Sequence, residues 1–405
     1  MSLETKGKSP FYPGQPVPVE LFVGRRHQID RLEERAIGQV KAGKPVAVFV
    51  QGEYGIGKSS IAQYLQWVAE REYGLHSIYA TLGGVKNLQE VAENILTATV
   101  RSGVFNPSRS EAIRNWMAKY IGKQELFGLS LNLEALRADA PRLSQASDLL
   151  DFLAQVQVRL AEDKVRGIFL VLDEINGIAS NPEFAHFLKG LIEANSRRKP
   201  PLPLLLMLCG VEERRRDLIR CHQPIDRIFD VVEIERMKAE EMRSFFINAF
   251  ESVRVKVHDD ALAKLCEYSA GFPKIMHEVG DQAFWINQDE VIDIAESTDA
   301  VYAAASEVGR KYVDQQIYKA LQSKDYKNFL NKIAGFGPDE MTFTKGQIEK
   351  NLNTDQKKKL NNFLQKMKKL NVIKSGDASG EYEFNVRMVR LYIWMRSISE
   401  IMPSP

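Results

Sequence analysis

Eight consecutive residues, Gly52-Glu53-Tyr54-Gly55-Ile56-Gly57-Lys58-Ser59, have the spacing GxxxxGK[ST]. Glycines so placed let successive backbone N–H groups turn inward around a phosphate at a helix N-terminus. Lys58 would reach the β- and γ-phosphates of ATP, and the Ser59 hydroxyl would bind Mg²⁺, with Ser60 following. The bland alternative is a glycine-rich turn with an incidental lysine. The flanks argue against it: Val46–Val50 upstream is a continuous apolar run, as in a strand buried on both faces, and Ile61, Leu65 and Val68 downstream have helical spacing. A second run, Ile168-Phe169-Leu170-Val171-Leu172, ends in Asp173-Glu174. Behind a phosphate loop, Asp173 would hold the Mg²⁺ shell and Glu174 would act as general base toward the attacking water. Alone, the pair would read as a cap on the next helix.

The elements needed to position these groups can be read from periodicity. Helices are expected over Gly24–Ala42, Leu88–Ser102, Asp148–Glu162 and Pro182–Ser196, and further strands at Ser77–Leu82, Leu204–Cys209 and Asp230–Ile234. Strands alternating with helices imply an α/β core with a mainly parallel sheet. Residues 104–147 show no clear period and read as an insertion, with a short strand at Gly128–Leu133. After Glu235 strand patterns vanish. Helices at Lys238–Ser252, Asp259–Ser269 and Lys274–Ile286 suggest a small helical lid, followed by one long connector helix, Asp293–Ser323. The rest reads as helix (Lys327–Ala334), helix (Lys345–Leu352), helix (Thr354–Leu370) and a two-stranded ribbon, Val372–Lys374 with Tyr382–Phe384, before a final helix over Val386–Ser399. That is the order of a winged helix-turn-helix. The expected organisation is an extended segment (1–20), an ATPase core (21–236), a lid (237–292), a connector (293–323) and a winged-helix domain (324–405).

Length and composition agree with several globular domains. The chain has 405 residues, 44% hydrophobic and 27% charged, which excludes a collagen, a coiled-coil rod or a wholly disordered chain. Its three cysteines, Cys209, Cys221 and Cys266, and six histidines show no zinc-ligand or HExxH spacing. No secretory leader or membrane-length apolar run is evident, so a cytoplasmic location and no membrane partner are expected. The net charge of +2 conceals an asymmetry. Lys311–Pro405 holds 17 Lys+Arg against 10 Asp+Glu, leaving the preceding residues net acidic.

Together, Phe22-Val23-Gly24-Arg25, Gly52–Ser60, Leu172-Asp173-Glu174 and Gly271-Phe272-Pro273 resemble the AAA+ ATPases. The match is to the branch joining origin-recognition initiators and STAND signalling ATPases, over roughly residues 11–290. The resemblance implies that Val23 and Gly24 line an adenine pocket with Arg25 nearby. It implies that Gly52, Gly55, Ile56, Gly57, Lys58, Ser59 and Ser60 hold phosphates and Mg²⁺, and that Asp173 and Glu174 serve metal and water. Cys209 occupies the sensor-1 position, where the family usually has Asn, Thr or Ser. A thiol is a weak donor, so slow turnover, another residue sensing the γ-phosphate, or binding without turnover are the alternatives implied. Arg227 stands where the family places an arginine finger; a surface pairing with Asp226 or Asp230 is the equal alternative. Pro273 and Lys274 resemble the lid motif, with Lys274 a candidate for sensor 2.

Lys345–Lys374 contains nine lysines. Lys357, Lys358, Lys359, Lys366, Lys368 and Lys369 fall on the helix that a winged helix lays in the major groove, with Phe363, Leu364 and Met367 facing the core. Lysines supply phosphate contacts and salt-dependent affinity but little base readout. Two functions are therefore expected: an ATPase coupled to weakly specific double-stranded DNA binding, or a STAND-like switch for protein assembly whose winged helix touches no DNA. A homo-oligomer would be needed only if the arginine finger acts in trans.

Overall fold

The computed structural model describes residues 7–15, 23–103, 105–120, 146–321 and 323–401. The chain divides into two compact units, residues 16–235 and residues 1–15 with 236–405.

The first unit is a P-loop-type α/β layer. Its strands are β1 (Val46–Gln51), β2 (His76–Thr81), β3 (Ile168–Asp173), β4 (Leu204–Gly210) and β5 (Asp230–Glu233), in the order β2-β3-β4-β1-β5. All neighbours pair in parallel. β3 and β4 are buried throughout, the consequence of helices on both faces. Its helices are α1 (Arg26–Leu32), continued through a π turn (Glu33–Ile37) into α2 (Gly38–Lys41); α3 (Lys58–Arg71); α4 (Leu88–Val100); α5 (Pro107–Tyr120); α6 (Ala146–Arg159); α7 (Pro182–Arg197); and α8 (Glu212–Cys221). One sheet face, carrying Ile78, Leu170, Leu172, Leu206 and Leu208, joins α4–α7 in a single core.

Two expectations change here. Within 104–147, α5 puts Ile113, Trp116 and Met117 into the core, so Pro107–Tyr120 is packed helix. The strand expected at Gly128–Leu133 lies outside the described residues. Helix α8 has no counterpart among the expected elements, because five of its ten residues are Glu or Arg in an unbroken run and only Leu218 is buried.

A polar group sits beneath β2. The Glu70 carboxyl accepts the Ser77 N–H at 3.1 Å, and burial pushes its pKa up to about 7 against the opposing pull of Arg109. Folding therefore favours the protonated form. The contribution is complete below the unfolded value near 4.5 and is lost as pH climbs through about 7. Glu70→Gln is expected to gain roughly 3 kcal/mol at pH 8.5 and little at pH 4.5. Equal denaturant midpoints for the two proteins at pH 8.5 would contradict it.

The second unit begins with helices α9 (Ala239–Ser252), α10 (Asp259–Ser269) and α11 (Pro273–Ile286). Phe11 packs its ring 4.9 Å from Phe250 and 5.9 Å from Phe245, and the Tyr12 N–H donates to His277 Nδ1 at 3.2 Å. Phe11 and Tyr12 are thus fixed to these helices. Strands do not vanish after Glu235: β6 (Lys256–Val257) pairs in parallel with β7 (Val291–Ile292). Two residues are too few to show alternation. The expected single connector helix is α12 (Ile294–Val308) followed by π-helical residues Gly309–Tyr318. At Gly309 a Cβ would lie 2.1 Å from the Tyr392 ring, so this close approach accompanies the change of winding.

The C-terminal part runs α13 (Lys324–Ala334), β8 (Thr342–Thr344), α14 (Lys345–Glu349), α15 (Thr354–Lys369), β9 (Ile373–Ser375), β10 (Glu381–Phe384) and α16 (Arg387–Ile401). The sheet has three antiparallel strands, β8-β10-β9, where two were expected; β8 is only three residues long. Phe363, Leu364 and Met367 of α15 pack with Phe329, Leu330 and Phe384.

Candidate functional site

The site grows from the crossing between β1 and β4, where the strand order reverses and side chains from several strand ends converge. Gly55 (φ 77°) and Gly57 (φ 97°) take left-handed backbone that lets the loop turn into α3. Gly52 has no room for a side chain: a Cβ there would lie 2.8 Å from the Ile234 carbonyl. Ile56 is buried beneath the loop, and Ser60 is half-buried on the first turn of α3.

Lys58 donates to the carbonyls of Gly52 (3.0 Å) and Glu53 (2.9 Å). Burial lowers its pKa, while Cys209, Asp173 and Glu174 pull the other way. Ser59 Oγ donates to Asp173 Oδ2 at 2.6 Å. The Glu174 N–H donates to Asp173 Oδ1 at 2.8 Å. Glu174 has left-handed backbone (φ 56°), is exposed, and holds its carboxylate over Gly83, where a Cβ would lie 2.4 Å from Oε2. Strand alternation explains why these groups meet. Asp173 is one step beyond the Leu172–Leu208 pair, which sets it beside Cys209. Cys209 is fully buried, and burial with the Asp173 charge keeps it a thiol.

Arg25 also has left-handed backbone (φ 59°), is 5% exposed and donates to the Glu235 carbonyl at 3.4 Å. It lies close enough to lower the Lys58 pKa further. Val23 and Gly24 directly precede it, Gly24 with φ 85°. Arg227 closes a 3₁₀ turn, Gln223–Arg227, and is exposed. The acidic partners expected for it are engaged elsewhere: Asp226 with Arg215 (2.5 Å) and Asp230 with Arg31 (2.6 Å). Arg227 has no ion pair among the described residues.

Pro273 and Lys274 open α11 in the second unit. Burial brings the Lys274 pKa down to about 8, opposed by Glu278. The six lysines of α15 fall into two groups. Lys359 pairs with Asp325 at 2.7 Å, Lys366 donates to the Ala320 carbonyl, and Lys368 donates to Ser375 Oγ at 2.5 Å. Lys357, Lys358 and Lys369 are exposed, as are Asn361, Asn362 and Gln365 on the same helix.

Two contributors escaped the sequence reading. Tyr79 of β2 donates its hydroxyl to Asp173 Oδ2 at 2.5 Å. Burial and the adjacent carboxylate raise its pKa, so it stays protonated. The available signal was alternation: Tyr79 pairs with Val171 and so shares a sheet face with Asp173, two residues on. Arg215 of α8 donates to Gln51 Oε1 at 3.1 Å as well as to Asp226, tying the end of β1 to the Arg227 turn. No spacing rule signals that bridge.

The residues fit a nucleotide with Mg²⁺. Ser59 and Asp173 present hard oxygen donors at a helix N-terminus, next to a cation and loop N–H groups.

Comparison with known proteins agrees. Residues 21–207 match the AAA ATPase domain family. No curated protein matches the chain in sequence. Among solved structures the chain is similar to the Walker-type ATPase PABY2304 of Pyrococcus abyssi, at 17% identity and TM-score 0.56, covering 92% of this chain and 96% of that one. It is also similar to the ORC2 protein of Aeropyrum pernix, solved as ADPNP–ADP complexes, at 15% identity and TM-score 0.59, covering 97% of each chain. Among the described residues, no helix is long and apolar enough to cross a membrane.

Proposed function

We infer, from the premise that residues 21–207 form an AAA ATPase domain, that this chain binds ATP with Mg²⁺ and hydrolyses it to ADP and phosphate. The observation that carries the reading is the meeting of Lys58, Ser59 and Asp173 at the start of α3, with the exposed Glu174 carboxylate one residue on. Loop N–H groups and Lys58 bind the β- and γ-phosphates. Ser59 and, through water, Asp173 hold the metal, which when bound neutralises charge on the phosphate oxygens. Glu174 orients a water and takes its proton. Val23, Gly24 and Arg25 flank the base. Arg227, exposed and without an ion pair among the described residues, acts on the nucleotide of a neighbouring copy.

The C-terminal part is read as a winged helix that contacts double-stranded DNA through α15. Its exposed Lys357, Lys358 and Lys369 flank Asn361, Asn362 and Gln365, a surface of phosphate-binding cations around a few amide readers. Lys359, Lys366 and Lys368 are engaged within the unit and serve its fold first. Changing Lys357, Lys358 and Lys369 together to Glu is expected to weaken duplex binding across all sequences. It should also flatten the plot of log affinity against log salt by up to about three units. Phosphate release with and without duplex, in parent and variant, tests the coupling. Turnover indifferent to DNA in both would favour the protein-assembly switch in a cytoplasmic setting.

A further inference from the structure

We propose that Tyr79 is a positioning residue for the metal side of the site: its phenol holds the Asp173 carboxylate so that Oδ1 faces a water on the Mg²⁺ ion. This rests on the Mg²⁺–ATP reading above.

Three protein donors converge on the Asp173 carboxylate. An ionised carboxylate offers about four lone-pair sites. Oδ2 receives two hydroxyls, Tyr79 at 2.5 Å and Ser59 at 2.6 Å. Oδ1 receives the Glu174 N–H at 2.8 Å. One site on Oδ1 therefore remains for a donor from outside the protein, and a metal-bound water is such a donor. Ser59 is compatible with this, because its oxygen keeps lone pairs for the metal while its O–H donates to Asp173 Oδ2. Without Tyr79, Oδ2 is held by Ser59 alone, and Ser59 is the group that must also serve the metal. Asp173 would then depend for its orientation on one shared hydroxyl and one backbone N–H.

The placement suits no simpler role. Tyr79 occupies the β2 position whose side chain shares a face with Asp173 and α3. A phenylalanine would fill that volume without burying a hydroxyl, and a buried hydroxyl costs free energy unless it is bonded. Here the hydroxyl donates to the metal-site carboxylate. Groups that orient metal-binding residues from behind typically change metal affinity about 10- to 100-fold when removed.

The test uses the full chain and a fluorescent ADP analogue, titrated in EDTA and across a Mg²⁺ series. Tyr79→Phe is expected to keep the EDTA affinity within about twofold and raise the Mg²⁺ concentration at half effect about 10-fold. The resonance spectrum of Mn²⁺ bound with ADP should change in the same variant. Adding Tyr79→Phe to Asp173→Asn should shift the Mg²⁺ midpoint no further than Asp173→Asn alone, because the phenol acts through that carboxylate. An unmoved midpoint in Tyr79→Phe, or additive shifts in the double variant, would overturn the proposal while leaving nucleotide binding intact. So would a parallel loss of EDTA affinity and thermal stability, which marks a purely structural hydroxyl. If the parent chain binds no nucleotide in EDTA or in Mg²⁺, the reading beneath it falls first and takes this inference with it.

Discussion

Glu174→Gln is expected to bind ATP as the parent does and to release phosphate about 100- to 1000-fold more slowly, the usual loss when a positioned general base is removed. The variant is close to isosteric, so the packing of the side chain over Gly83 survives. Its N–H still reaches Asp173 Oδ1, because that bond comes from the backbone. Only the capacity to take a proton is lost. The left-handed backbone at Glu174 (φ 56°) supports a functional reading, since a non-glycine residue in that region carries strain. A helix-capping carboxylate would need no such conformation, and the next helix, α7, is capped by Asn181 instead. The measurement is single-turnover phosphate release beside equilibrium ATP affinity. Equal turnover in parent and variant would remove Glu174 from the chemistry. A parent that binds ATP but releases no phosphate would point to Cys209, a buried thiol and so a weak donor, as the reason for binding without turnover.

The core could be read in advance because its signals are local and dense. Val46–Val50, Ile168–Leu172 and Leu204–Cys209 are apolar runs that only a strand covered on both faces tolerates, and each appears within one or two residues of its expected bounds. The phosphate loop and Asp173-Glu174 stood out because their chemistry needs fixed spacings. What stayed hidden depends on contacts distant in sequence. Tyr79 lies 94 residues from Asp173, and Arg215 lies 164 from Gln51; register sets the first contact and packing the second. The ion pairs that Asp226 and Asp230 make were hidden for the same kind of reason. Asp226 and Asp230 were near enough in sequence, but Arg215 and Arg31 reach them in space. The lysines of α15 looked uniform in sequence, and only the positions of Asp325, Ala320 and Ser375 separate Lys359, Lys366 and Lys368, which they engage, from Lys357, Lys358 and Lys369. Very short elements, β6, β7 and β8, were lost because two or three residues cannot display a period.

Lys58→Ala is expected to lower ATP affinity about 100-fold while leaving adenosine affinity nearly unchanged. The ammonium now donates to two neutral carbonyls, Gly52 and Glu53, at 3.0 and 2.9 Å. A triphosphate offers charged oxygens instead, and hydrogen bonds to charged acceptors are worth about 1.5–3 kcal/mol each. Partial burial adds to the effect, because the charge is already stripped of some water, as its lowered pKa records. The exchange therefore favours the phosphate more than it would for an exposed lysine. Truncation also frees the two loop carbonyls to seek water, which loosens the turn that aims the N–H groups; this gives a smaller, phosphate-dependent loss of its own. Adenosine touches neither group, so it separates phosphate recognition from a general collapse of the site. Titrations of adenosine, ADP and ATP against both proteins decide it. An ATP affinity within about twofold of the parent would mean that Lys58 holds its own loop together and does not grip phosphate. Losses of equal size for adenosine and ATP would mean that the loop had unfolded. Only a deficit that grows from adenosine to ADP to ATP matches an ammonium acting on the β- and γ-phosphates.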